Sequence, residues 1–377
     1  MTPQMEAEQA LLGAVLLDPA RLKAVDWLEP KHFYRPAHAA LYQVLLDQAA
    51  AGHPGLDPEA AEARAGWATD AMTAAAEACP AFTAGYGHTL IAACPVSGHA
   101  AAYGRMVLES WIRRQVHEHA HRLLAAARTG DLDATLHLTA RLRSAVGDLA
   151  RAWGPVDTRP HPSPGPWPLE LPDHAVQETL GQERALLASL TALPRQVGDV
   201  TRRVHPLDLL DRGHQALYRA IGALGHRGEP IDPLTVLWEV QHRAADAITA
   251  DAVRSITRAG FAGDPDYWAD EVLKAAVLRS ATASAGAVRL MALDSSIPAA
   301  RLLGSCLHAL RQTEQVQKRW RTAAPDREAA DRANGPPEHR RSAARARTFV
   351  SVPDTAPVAP SPAQQAAPAR AAIKSTH

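Results

Sequence analysis

Hydrophobic positions recur along this chain with a helical period, and they recur as a set. His38, Leu41, Tyr42 and Leu45 follow i, i+3, i+4, i+7 spacing, which marks one face of a helix. The same order returns 176 positions later as His214, Leu217, Tyr218 and Ile221. Upstream, Glu8 and Leu11-Leu12 correspond to Glu183 and Leu186-Leu187, 175 positions on, in segments that read as amphipathic opening helices. Downstream, Gly52 corresponds to Gly228 and Asp57-Pro58 to Asp232-Pro233, a loop whose Asp and Pro suit the cap and first turn of the next helix.

A second block repeats at an offset of 165: Val107-Leu108 with Val272-Leu273, Ile112 with Val277, and Arg114 with Arg279. These pairs lie on long predicted helices. Turn signals follow at Thr129-Gly130-Asp131 and at Asp294-Ser295-Ser296 before Pro298, so each half is predicted to end in a helical hairpin. The returning arms carry Leu132, Leu136, Leu142, Val146 and Leu149 in the first copy and Leu303, Leu307 and Leu310 in the second. The drop in offset shortens the second copy between the Asp-Pro loop and the hairpin. In the first copy that region holds Gly66, Pro80, Gly85, Gly87 and Pro95, which predicts a longer loop there.

Two Pro-rich stretches punctuate the pattern. One, from Gly154 to Pro172, reads as a semi-extended linker; the other, from about residue 322 onward, adds Ala, Ser and Arg without periodic apolar positions and reads as disordered. The expected organisation is a first domain over 1–150, a linker over 151–175, a homologous second domain over 176–320 and a tail over 321–377.

Composition narrows the class. Hydrophobic residues make up 46 % of the chain and aromatics 5 %, so a core built from Leu, Val, Ile and Ala favours an all-α fold. Forty basic residues balance forty acidic ones, which leaves no global attraction for phosphate backbones, and direct nucleic-acid binding is expected to be weak or absent. The Arg-containing stretch Arg340, Arg341, Arg345 and Arg347 is diluted by Asp326, Glu328, Asp331 and Glu338. Cys79, Cys94 and Cys306 match no zinc or Cys-x-x-Cys spacing and fit free thiols in a reducing compartment. With no apolar run of membrane-spanning length, the expected location is cytoplasmic.

The residues now support a resemblance. The run from Pro3 to Asp18, with Glu8-Gln9-Ala10-Leu11-Leu12-Gly13 at its centre, resembles the opening helix of the N-terminal domain of bacterial replicative helicases of the DnaB type. Phe33-Tyr34-Arg35-Pro36-Ala37-His38 resembles the entry to that domain's second helix, and Gly228-Glu229-Pro230-Ile231-Asp232-Pro233 resembles its Gly-x-Pro-Ile-Asp loop. Tyr103 to Arg114 and Trp268 to Arg279 resemble its hairpin entry. The second copy departs from the pattern with Leu209-Leu210 in place of Phe33-Tyr34, and the first copy with Gly52-His53-Pro54-Gly55-Leu56-Asp57. The resemblance implies two tandem helical heads, each with a hairpin, that self-associate or hold a protein partner such as a primase or the replicative helicase. It implies an interface on Leu108, Ile112, Leu273 and Val277, against the plain alternative that these four only pack their own domains.

The family's motor needs a phosphate-binding Gly-x-x-x-x-Gly-Lys-Ser/Thr loop, and none of the five lysines, Lys23, Lys31, Lys274, Lys318 and Lys374, follows a glycine. These 377 residues are therefore expected to carry no helicase activity and no cofactor. One constellation points to an enzyme instead. His117-Glu118-His119-Ala120-His121 satisfies His-Glu-x-x-His, which on a helix could place His117 and His121 on zinc with Glu118 as general base. No Glu follows before Glu170 to complete the ligand set, and the aligned segment Thr282 to Gly286 holds no ligand, so a solvated helix face is the preferred reading. His38 and His214 are read as core histidines with a ring nitrogen bonded to backbone or carboxylate.

Overall fold

A computed structural model describes residues 2–57, 59, 61–157, 159, 173–260 and 262–322. Most of the Pro-rich linker and nearly all of the tail, with their expected extended and disordered character, lie outside the described residues. Among the described residues the chain is all α, built twice from the same parts. In the first copy α1 (Pro3–Leu17), α2 (Pro36–Ala50), α3 (Ala61–Ala78) and α4 (Ala84–Ala92) form a head. A hairpin of α5 (Ala100–Arg128) and α6 (Leu132–Trp153) follows. The second copy runs α7 (Asp173–Ala192), α8 (Val197–Arg203), α9 (Arg212–Arg227), α10 (Pro233–Ala244) and α11 (Ala250–Thr257), then the hairpin of α12 (Pro265–Leu293) and α13 (Ala299–Thr322).

The helix ends follow local chemistry. Asp232 caps α10 by accepting from the backbone of Leu234 and Thr235, with Pro233 in the first turn, and Gly228 closes α9 at φ +68°. Gly130, at φ +75°, and Asp131, accepting from Ala134 N at 2.9 Å, turn the first hairpin.

Two expectations are corrected. Six of the extra residues of the first copy lengthen a helix rather than a loop: α3 has 18 residues where α10 has 12. Gly66 sits inside α3 without breaking it, because Trp67, Ala71, Met72 and Ala75 keep a helical apolar stripe that the head buries. Nor is α1 amphipathic: every residue from Ala7 to Leu16 is buried, since α5, α4, α2 and the turn at Pro19–Val25 surround it. A helix enclosed on all sides has no solvent face to mark with polar residues.

The two hairpins pack together. α5 lies along α12 and α6 along α13, and each hairpin's turn reaches the base of the other. Arg113 on α5 donates to the carbonyls of Asp294, at 2.8 Å, and Ile297 in the far turn, and Arg143 on α6 pairs with Glu314 on α13 at 3.3 Å. One apolar cluster therefore spans both copies, joining the first head to Val116, Ala120, Leu123 and Ala127 of α5 and to Ala281, Ala285, Val288 and Ala292 of α12. The second head keeps its own cluster around Leu186, Leu187, Leu217, Tyr218 and Ile221. Among the described residues no helix is long and apolar enough to cross a membrane.

Candidate protein-interaction site

Each head is organised by a buried carboxylate. In the first, Glu8 Oε2 lies 2.7 Å from His38 Nδ1 while its Oε1 accepts from Tyr34 N at 2.6 Å, so α1 is tied to the entry of α2. In the second, Glu183 Oε2 lies 2.7 Å from His214 Nδ1 and its Oε1 accepts from Leu210 N. The carboxylate only accepts, so each Nδ1 donates, as expected of core histidines whose polar atoms must be paired in a dry interior. Below each pair an arginine from the hairpin locks the head onto its base. Arg114 donates to His32 O at 2.8 Å, and Arg279 donates to Asp208 O. Tyr42 and Tyr218 complete the repeat, their hydroxyls donating to Val25 O at 2.9 Å and Val204 O at 3.0 Å.

These polar sets hold the scaffold and assemble no nucleophile with a base. His32 adds a pH response to the first head. It is buried against Trp111, ring centroids 4.4 Å apart, and its Nδ1 accepts from Glu29 N at 2.9 Å, which the neutral ring alone can do. Burial pushes its pKa down from 6.5 to about 4. The unfolded chain therefore takes up a proton that the folded head refuses, and the stabilisation present above pH 6.5 is lost as pH falls toward 4. Denaturant titrations between pH 7 and 4 should show the first head weakening over that window. His32→Asn should flatten the slope; an unchanged slope in the variant would place the response elsewhere.

The His-Glu-x-x-His segment lies on α5. The rings of His117 and His121 stack with centroids 6.3 Å apart, and Glu118 is paired with Arg122. Desolvation and the nearby Arg289 lower the pKa of His117. Among the described residues no group of three or more His, Cys, Asp and Glu side chains is close enough to hold a metal ion. The double variant His117→Ala, His121→Ala is expected to match the parent in zinc content and in melting temperature. Stoichiometric zinc lost from the double variant, read by mass spectrometry of the metal, would restore the hydrolase reading.

The four positions singled out for an interface do not fall in one place. Leu108 and Ile112 belong to the large cluster shared by the first head and both hairpins, Leu273 to the core of the second head, and Val277 to a small cluster with Val316 that receives Leu132 and Leu136 from the first hairpin. Sequence reasoning stopped short along the same stripe. Continuing the offset of 165 pairs Val116 with Ala281, Ala120 with Ala285, Leu123 with Val288 and Ala127 with Ala292, and all eight are buried in the shared cluster. It also passed over the outward face of α10, where Leu234 and Trp238, one turn apart, are 72 % and 67 % exposed.

The comparisons with known proteins agree with this doubled architecture. The family described as DnaB-like helicase N terminal domain matches residues 1–109 and 176–263, one segment in each copy and together more than half of the chain. The chain belongs to this family. Replicative DNA helicase DnaB of Geobacillus stearothermophilus is 51 % identical over 51 residues, covering 13 % of this chain and 11 % of that protein. Replicative DNA helicase DnaB of Mycobacterium leprae (strain TN) is 32 % identical over 121 residues, covering 30 % of this chain and 18 % of that protein. The chain thus spans less than a fifth of the length of either relative, and the DnaB-like match lies in the helicase N-terminal domain alone. No solved structure matches the chain.

Proposed function

We propose that this chain is a non-enzymatic protein-docking module connected with DNA replication, a pair of DnaB-like N-terminal domains already paired with each other. The observation that carries the reading is the packing of α5 and α6 against α12 and α13 within one chain. In a single-copy protein such hairpin surfaces would be free to associate with a second chain; here a tether keeps both copies at an effective concentration of about millimolar or more, which favours the internal pair. Val277, which receives Leu132 and Leu136, and the stripe from Val116 to Ala127 and from Ala281 to Ala292 serve the pairing, Leu273 helps seat its hairpin on the second head, and Leu108 and Ile112 sit in the cluster that joins the first head to both hairpins. The heads then face outward, with Leu234 and Trp238 available to a primase, a replicative helicase or a second copy of the chain. The His117/Glu118/His121 hydrolase alternative has no further ligand to support it among the described residues.

The test is direct binding. Purified chain should bind the primase or the replicative helicase of its own cell in a sedimentation titration, Trp238→Ala should weaken that binding about tenfold or more, as truncation of an interfacial aromatic does, and the chain should hydrolyse no ATP with or without single-stranded DNA. ATP turnover that co-purifies with the protein, or absence of binding to either partner and to itself, would overturn the reading.

A further inference from the structure

The two heads differ at one point of their polar framework. In the first head Tyr86, on α4, completes His38: its hydroxyl lies 2.7 Å from Nε2, and its ring is parallel to the imidazole within 5° at 5.8 Å. Gln9 and Arg35 donate to the same hydroxyl at 3.2 and 3.1 Å. The caps of α4 and α11 align the copies without ambiguity. Thr83 accepts from Tyr86 N, and Thr249 accepts from Ala252 N, so Ala252 stands where Tyr86 stands in the first head. His214 is only 4 % exposed and is bonded through Nδ1, but its Nε2 has no partner among the described residues.

A second change widens the gap. Gly13 lets α4 close onto α1, since a Cβ there would collide with the Leu90 carbonyl oxygen. The corresponding residue of the second copy is Ala188, and beside it α7, α9 and α11 enclose an open groove of about 670 Å³. His214, Ala252 and Arg184 line this groove, the last at the position of Gln9, with apolar walls from Leu180, Ala188 and Ile256. The groove thus has the Nε2 acceptor, a cation able to donate, and an apolar slot, while lacking the ring that the first copy supplies for itself.

We propose that this groove receives a tyrosine side chain from a partner protein, whose phenol donates to His214 Nε2 and accepts from Arg184 as Tyr86 does from its own surroundings. The inference deepens the docking reading by naming the partner's chemistry, and its test needs no partner, so a failure here leaves the docking of a partner elsewhere on the heads untouched.

The experiment follows the imidazole signals of His214 by NMR in the full chain during titration with N-acetyl-tyrosinamide, N-acetyl-phenylalaninamide and p-cresol. The tyrosine amide is expected to bind saturably with a dissociation constant of about 1–10 mM, a range suited to a fragment of its size. The phenylalanine amide should bind roughly tenfold more weakly, because the Nε2 acceptor is then buried without a donor. Ala252→Tyr should abolish binding and move the His214 signals, unliganded, toward the saturated position. Binding that ignores the hydroxyl, survives Ala252→Tyr, or never saturates would overturn the proposal. Binding of p-cresol without the tyrosine amide would also overturn it, by showing a groove for small phenols and no peptide.

Discussion

Glu183→Ala should destabilise the second head by about 3 kcal/mol, the usual cost of removing one partner from a buried, hydrogen-bonded polar set. The change leaves His214 Nδ1 and the amide of Leu210 without their acceptor and removes one of the two carboxylates, Glu183 and Asp208, that favour the charge of Arg279 against its burial. The corresponding Glu8→Ala should cost the first head less, because His38 keeps Tyr86 as a partner while His214 keeps none among the described residues. Hydrogen exchange at the backbone amides of α7 and α9 across a urea titration reads the second head. A loss under about 1 kcal/mol would mean that water reaches this pair and replaces the carboxylate.

Ala285→Asp should weaken the paired hairpins by about 4 kcal/mol, since a carboxylate would be placed without a counter-charge in a fully buried position. Ala285 belongs to the cluster shared by the two copies and corresponds to Ala120 on α5, also fully buried; two small residues suit close approach of the helix backbones. The expected result is an enlarged particle by X-ray scattering and loss of cross-links between α5 and α12, with most helical signal retained because the second head has its own cluster. Parental dimensions and stability in this variant would show that the hairpins are not held together at this seam.

Much of this was legible without coordinates. The paired histidines, the Asp-Pro helix start, the turns at Gly130 and Asp294 and the repeat offsets all come from interactions within a few residues, or from a period that a solvent boundary imposes on a helix. The seam was legible only in part: the stripe through Ile112 and Val277 was singled out, but its continuation to Ala120 and Ala285 was not, because alanine stripes carry little hydrophobic contrast in an Ala-rich chain.

The sequence by itself determined an all-α chain made of two related halves, each closing in a hairpin, because helix period, caps and turns are set locally and survive duplication. Tertiary structure alone decided that α1 is enclosed on every side, that six of the extra residues of the first copy lengthen α3, and that His38 meets Tyr86 while His214 faces a groove. Each of these depends on which helix arrives from 40 or more residues away and how closely it can approach. One methyl group at Ala188, absent at Gly13, changes that approach, and no local pattern in the chain encodes the consequence.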